Sequence, residues 1–226
     1  MNQSREVSST QQDVHPRLDE LLSRHLANEW SQPLHPPTIE AFQALEERVD
    51  CLRDHIVLDS GCGTGASTRR LARALPDCVV IGVDKSVNRL SRSGAEPYPR
   101  REGNAVFVRA ELTTFWRLAL RAGWRVHRHY LLYPNPWPKP GHLQRRWHAH
   151  PVFPDMLRLG GRLEMRCNWD IYALEFAHGV NRVLGVNVRP GSPPDEPVMS
   201  PFERKYRNSG HRIYSVVVSC GSSGVK

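Results

Sequence analysis

The sequence predicts an α/β fold with a doubly wound, mostly parallel sheet. Three observations carry that expectation. Short, wholly apolar runs alternate with helix-like segments from residue 38 onward. A glycine-rich turn, Asp59-Ser60-Gly61-Cys62-Gly63-Thr64-Gly65, follows the first such run, and acidic residues (Asp59, Asp84, Glu111) stand at the ends of three successive runs. Fully apolar short strands need cover on both faces, and a parallel sheet wrapped by its own crossover helices supplies it. With 226 residues, 39% hydrophobic and 24% charged, the chain has room for one domain and an arm, and it is too apolar for a disordered protein.

Residues 1–37 are expected to form an N-terminal arm, flexible in the Ser/Gln-rich stretch up to about Ser9. Residues 38–219 form the domain and 220–226 a C-terminal tail. Thr38, after Pro36 and Pro37, can cap a helix running through Ile39, Phe42, Leu45 and Val49. The strand HIVLD (55–59) enters the glycine turn, and a helix follows over Ser67 to Leu75. A second strand, CVVIGVD (78–84), leads to a helix from near Ser86, then a loop over 94–104. The strand AVFVRA (105–110) precedes a helix over Thr114 to Ala122, and HYLLY (129–133) leads into a Pro-rich loop. A helix near Phe153 to Leu159, a turn at Gly160 and Gly161, the strand RLEMRC (162–167) and a helix over Ile171 to Leu184 complete the alternation. RPGSPPDEP (189–197) is a loop, and HRIYSVVVS (211–219) is a late strand that closes the sheet.

Charge is uneven. The chain carries +8 overall, yet residues 1–50 hold four arginines against nine acids. Between Leu112 and Pro154 there is no acid, while six arginines, Lys139 and five histidines are present. That window suits a polyanionic partner, although a solvated basic face is an equal reading of charge alone. Five cysteines with no close pair exclude a C-x-x-C site and a disulfide framework. The 11 histidines show no zinc spacing, so no metal is expected. No apolar run approaches the roughly 20 residues of a membrane span, and the first 20 residues hold no signal-like segment. A soluble, cytoplasmic protein is expected.

The glycine loop admits two cofactors. Gly61, Gly63 and Ala66 satisfy the dinucleotide pattern G-x-G-x-x-G/A, with Asp84 at a suitable distance for a ribose. Asp59, Gly61, Gly63 and Gly65 equally match (D/E)-x-G-x-G-x-G, the S-adenosylmethionine loop of class I methyltransferases. A cofactor with a cationic amino-acid end favours an acid beside the loop, where a pyrophosphate would be repelled. Loop N–H groups can take its carboxylate, Asp84 the ribose hydroxyls and Glu111 the adenine amino group.

Tyr133-Pro134-Asn135-Pro136-Trp137-Pro138-Lys139, followed by His142, Arg145 and Arg146, resembles the PDPWPKxxHxxRR signature of bacterial tRNA (guanine-N7)-methyltransferases. SPFERKYRNSGHRIY (200–214) is similar to that family's T-x-F-E segment, and the resemblance spans roughly Asp54 to Val218. It implies a class I, Rossmann-like methyltransferase that binds S-adenosylmethionine and acts on a base in RNA, with tRNA the partner. It implies that Asp59, Gly61, Gly63, Gly65, Asp84, Glu111 and Asn135 hold the cofactor. Asn135, Lys139 and Asn168 would be catalytic, and Lys139, Arg145, Arg146, Asn168, Ser200 and Glu203 would hold substrate. Two departures stand out: Asn135 and Asn168 occupy positions where the family has Asp. A carboxylate only accepts hydrogen bonds, which suits guanine N1–H and N2–H; an amide both accepts and donates. The amides therefore also admit a methyltransferase for an exocyclic amine or a small molecule, and a non-catalytic RNA-binding relative.

Overall fold

Side chains of successive strand residues point to opposite faces, and here both faces are apolar. In β1 (Ile56–Ser60), Ile56 and Leu58 join one core cluster and Val57 another. β2 (Val79–Asp84) repeats the alternation, with Val79, Ile81 and Val83 against Val80. So the sheet has two dry faces, as expected from the uninterrupted apolar runs. The computed structural model describes residues 4–50, 55–93 and 97–221. Residues 1–3 of the arm, Asp54 at the start of the family resemblance, residues 94–96 of the loop and 222–226 of the tail lie outside them.

Seven strands form one sheet in the order β3-β4-β2-β1-β5-β6-β7. The additional strands are β3 (Arg100–Glu102), β4 (Ala105–Arg109), β5 (Arg128–Leu132), β6 (Gly161–Cys167) and β7 (Tyr214–Cys220). β4, β2, β1, β5 and β6 are parallel; β3 and β7 run antiparallel at the edges. The order reverses beside β1, and in such sheets ligands lie outside the carboxyl ends of the strands at that point.

The two faces are covered unequally. One carries α1 (Leu18–Ala27), α2 (Pro36–Glu46), α5 (Leu112–Arg121), α6 (Phe153–Arg158) and α7 (Asp170–Leu184), whose apolar residues form the larger cluster. The other is covered mainly by α3 (Ala66–Ala74), with Met199 ahead of α8 (Pro201–Asn208) in the same cluster. A short α4 (Val87–Leu90) follows β2.

Four elements differ from the sequence expectation. Leu18, Leu21 and Leu22 of the segment taken as an arm are fully buried, so α1 is part of the core, packed beside α7. β3 occupies part of the 94–104 loop, where Gly103 (φ +58) turns it onto β4. α8 is a helix within the 200–214 segment, at residues to which the sequence assigned no element: Ser200 caps it, accepting from Glu203 N at 3.2 Å, and Pro201 takes the first position, where a missing N–H costs nothing. α2 begins two residues before Thr38, because its prolines fill the first positions and His35 becomes the cap. Thr38 Oγ1 instead accepts from Glu111 N at 3.0 Å. Among the described residues no helix is long and apolar enough to cross a membrane.

Candidate functional site

The carboxyl ends of β1, β2, β4 and β5 open into a cleft of about 310 Å³. Ser60, Gly61, Asp84, Glu111, Tyr133 and Asn135 are among its lining, with Trp137, Arg145 and Trp147 from the Pro-rich segment. The glycine turn is possible because Gly61, Gly63 and Gly65 take φ of +77, +59 and +73, values most residues avoid. Gly61 and Gly63 have open space where a side chain would stand, whereas a Cβ at Gly65 would run into the Phe107 ring.

Asp84 is 4% exposed and holds the turn: Oδ2 accepts from Gly63 N at 2.9 Å and Oδ1 from Ser86 N at 2.8 Å. Glu111 caps α5 from the cleft wall, with Oε2 accepting from Thr114 Oγ1 at 3.1 Å. Asp59 stands deeper and does not line the cleft. Its Oδ2 accepts from Ser67 Oγ (2.6 Å) and Thr68 Oγ1 (2.7 Å), while Oδ1 is buried without a hydrogen-bond partner among the described residues. Burial pushes its carboxyl up to about 6, the two hydroxyls pull the other way, and the Asp84 charge adds to the rise. Beneath the cleft, Trp116 Nε1 donates to Ser60 Oγ at 3.0 Å, and that oxygen lies 2.8 Å from His129 Nε2. Burial drives His129 down to about 3, so it is a neutral hydrogen-bonding group. No sequence pattern announced this trio.

The Pro-rich loop bends through two left-handed residues that are not glycine, Tyr133 (φ +54) and Trp137 (φ +46). Each costs on the order of 1 kcal/mol, so the surroundings must hold them. Arg146 holds Trp137: its Nε and Nη2 both donate to the Trp137 carbonyl, at 3.2 and 3.1 Å, while Tyr133 N donates to the Arg166 carbonyl at 2.8 Å. Arg146 is fully buried, and Nη1 donates to Glu175 Oε2 at 2.6 Å. Glu175 also accepts from His148 Nε2, Gln11 Nε2 and His15 N, so α7, the loop and the arm meet on one carboxylate. Burial alone would raise Glu175, but His148 and Arg146 outweigh it and hold the carboxyl down at about 2. Ser9 Oγ adds a bond to the Pro138 carbonyl at 2.6 Å.

The expected substrate residues therefore divide. Asn135 lines the cleft, and so does exposed Arg145, its guanidinium carbon 4.8 Å from the Trp137 ring centre. Lys139 is exposed and does not line it. Arg146 cannot reach a phosphate, because the guanidinium is enclosed by Trp137, Gln11 and Glu175. Asn168 does not line the cleft either: Nδ2 donates to His211 Nδ1 at 3.1 Å, while His211 Nε2 donates to the Ser4 carbonyl at 2.9 Å. Ser200 is the α8 cap. Glu203 is fully buried, accepting from Arg166 Nη1 at 3.0 Å and Arg207 Nη2 at 3.0 Å, which ties α8 to β6.

This sheet order, with a glycine turn after β1 and acids at the ends of β2 and β4, defines a class I, S-adenosylmethionine-dependent methyltransferase. A family model described as "Putative methyltransferase" matches residues 53–216, and the chain belongs to that family. The tRNA (guanine-N(7)-)-methyltransferase of Saccharophagus degradans is 29% identical over 178 residues, 73% of this chain and 75% of that one. The enzyme of the same name from Rubrobacter xylanophilus is 28% identical over 165 residues, 70% of this chain and 73% of that one. Among solved structures, the aminoglycoside resistance methyltransferase NpmB1 superposes with a TM-score of 0.51 at 20% identity, covering 84% of this chain and 95% of that one, a likeness of fold.

The residues present fit the donor. Gly61 and Gly63 leave a cradle that a Cβ would fill, and Asp59 Oδ1 is a buried carboxyl oxygen without a hydrogen-bond partner among the described residues.

Proposed function

We propose that the chain methylates N7 of a guanine in tRNA. The observation that supports this most is the loop at the acceptor side of the cleft, where Asn135, Trp137 and Arg145 stand together over the strand ends. When bound, S-adenosylmethionine supplies an electrophilic methyl group on a sulfonium. In the reaction the methyl–sulfur bond breaks as an N7–carbon bond forms, and the positive charge passes to the purine. No proton has to leave, so the acceptor side needs no base, and an amide at position 135 is compatible with turnover. What the protein contributes is alignment, which in well-oriented systems is worth several kcal/mol of barrier.

In this reading Gly61 and Gly63 cradle the amino-acid end of the donor. Asp59 offers its unpaired oxygen to the ammonium, and Asp84 and Glu111 take the ribose and adenine. Asn135 holds a polar edge of the base through one acceptor and one donor. Trp137 presents an aromatic face to it, and Arg145 holds an adjoining phosphate.

Purified protein incubated with unmodified tRNA and methyl-labelled donor should yield labelled 7-methylguanosine on nucleoside analysis; label in another base, or none, rejects the reading. One observation favours a second acceptor: an amide oxygen in the cleft suits an exocyclic amino group. Asn135→Asp separates the two, since an N7 enzyme should retain its product while an amine-directed one should lose activity.

A further inference from the structure

A second cleft begins where the glycine loop ends. Ala66, Arg69, Arg70 and Arg73 fall at i, i+3, i+4 and i+7 of α3 and share one face. With Ser200, Pro201 and Arg204 at the start of α8 they line a recess of about 270 Å³. The opposite face of α3 is buried through Leu71 and Ala72, and Met199 belongs to the same apolar cluster, so packing fixes the α8 start against α3. Four guanidinium groups line the recess and no acidic residue does.

Arg69 has its own partner: Nε donates to Glu102 Oε2 at 2.8 Å and Nη2 to Oε1 at 3.0 Å. Arg70, Arg73 and Arg204 make no hydrogen bond or ion pair among the described residues, and Arg73 and Arg204 are exposed. Crowding like charges opposes folding, and no acid in the recess offsets it; an anion with several oxygens would. Guanidinium forks match phosphate oxygens in pairs. Beside them, Phe202 is 51% exposed and stacks on Tyr206 at 6.3 Å. Tyr206 packs in turn on Tyr133 at 5.4 Å, and Tyr133 lines the donor cleft, so a row of rings runs from Phe202, between Pro201 and Arg204 in sequence, to the donor cleft.

We propose that this recess binds backbone phosphates of the RNA substrate through Arg70, Arg73 and Arg204, with Phe202 stacking an adjacent unpaired base. The assignment rests on the RNA-methylating reading and deepens it, because it names the surface that anchors the strand beside the donor.

The test compares the full chain with Arg70→Gln/Arg73→Gln/Arg204→Gln, measuring binding of a tRNA transcript across salt concentrations, KM for tRNA and affinity for S-adenosylhomocysteine. Every phosphate that the variant no longer neutralises flattens the plot of log K against log salt by roughly 0.7 to 0.9, so its slope should fall by about 2 and its KM rise about tenfold or more. Affinity for S-adenosylhomocysteine should hold. Phe202→Ala should weaken binding about tenfold and leave the slope in place. Arg204→Gln alone, at an exposed position, keeps the slope readable if the triple variant is unstable.

A folded variant that matches the wild type in slope and KM overturns the recess while the methylation reading stands. A wild type that binds tRNA without methylating it overturns that reading, and a flattened slope in the variant then still supports the recess. A wild type that binds no RNA overturns both.

Discussion

Asp59 and Glu175 are both buried carboxylates, and they live in opposite circumstances. Glu175 receives four hydrogen bonds, from Arg146, His148, Gln11 and the His15 backbone, and lies well below the usual carboxylate range. Asp59 receives two from neutral hydroxyls, keeps one oxygen without a partner among the described residues and lies well above that range. Both are removed from water, so satisfaction, not depth, decides the sign. The first is finished as structure; the second has one oxygen left to offer, which the proposed reading assigns to the ammonium of the donor. The satisfied pattern extends to three residues expected to hold substrate, Arg146, Asn168 and Glu203, whose side chains are tied to Glu175, His211 and Arg166.

The largest expected effect comes from breaking the satisfied side. Arg146→Ala leaves Glu175 without its charged partner and frees the Trp137 carbonyl, and removing one member of a buried pair costs about 3 to 5 kcal/mol. Urea denaturation at pH 7 should show that loss. Its pH dependence follows from the direction of the shift. Glu175 is depressed from 4.5 to about 2, so its contribution is complete above pH 4.5 and disappears as the pH falls toward 2. The gap between wild type and variant should therefore narrow at pH 3. A gap below about 1 kcal/mol at pH 7 would place Arg146 among the exposed, phosphate-binding arginines after all.

The contrast also explains which features were legible. The parallel strands came through to within a residue or so, because an apolar run buried on both faces is a local signal: Ile56–Ser60 against 55–59, Val79–Asp84 against 78–84; the edge strands did not, since β3 was read as loop and β7 starts at Tyr214, not at 211. The glycine turn and the acids after the strands were legible for the same reason, since backbone conformation and topology place them. Arg146, Asn168 and Glu203 were not. Their partners Glu175, His211 and Arg166 are 29, 43 and 37 positions away, and only tertiary packing shows that the side chains turn inward. Two elements had a signal that went unused: Leu18, Leu21 and Leu22 have helical spacing, and Ser200-Pro201-Phe202-Glu203 is a capping sequence.

A smaller effect, opposite in sign, is expected on the unsatisfied side. Asp59 is raised from 3.8 to about 6, so the folded state resists its ionisation and stability falls as the pH rises from about 4 to 6. Asp59→Asn removes that penalty. The ligand-free variant should be more stable than wild type at pH 7.5, by on the order of 1 to 3 kcal/mol, and indistinguishable near pH 4. It should also bind S-adenosylhomocysteine at least about tenfold more weakly, a loss expected when an ion pair leaves a buried site. Scanning calorimetry and titration calorimetry measure the two halves of this trade. Unchanged affinity would remove Asp59 from the donor site, whatever the stability does.

The smallest effect sharpens the comparison most, because it concerns adjacent residues of identical chemistry. Arg145 and Arg146 share one signature, yet one guanidinium lies exposed over Trp137 and the other is sealed beneath it. Arg145→Ala forfeits a cation–π interaction worth about 0.5 to 1 kcal/mol and little else, so stability should barely move. The cost should fall on RNA: KM for tRNA should rise about tenfold, as when one charge-assisted hydrogen bond to phosphate is removed, with S-adenosylhomocysteine affinity unchanged. The pair thus forms a crossed test. Arg146→Ala should lose fold before function, and Arg145→Ala function without fold. If both lost stability alike, the division of the acceptor side into a buried frame and an exposed RNA-facing group would be wrong, and the loop would act as one structural unit.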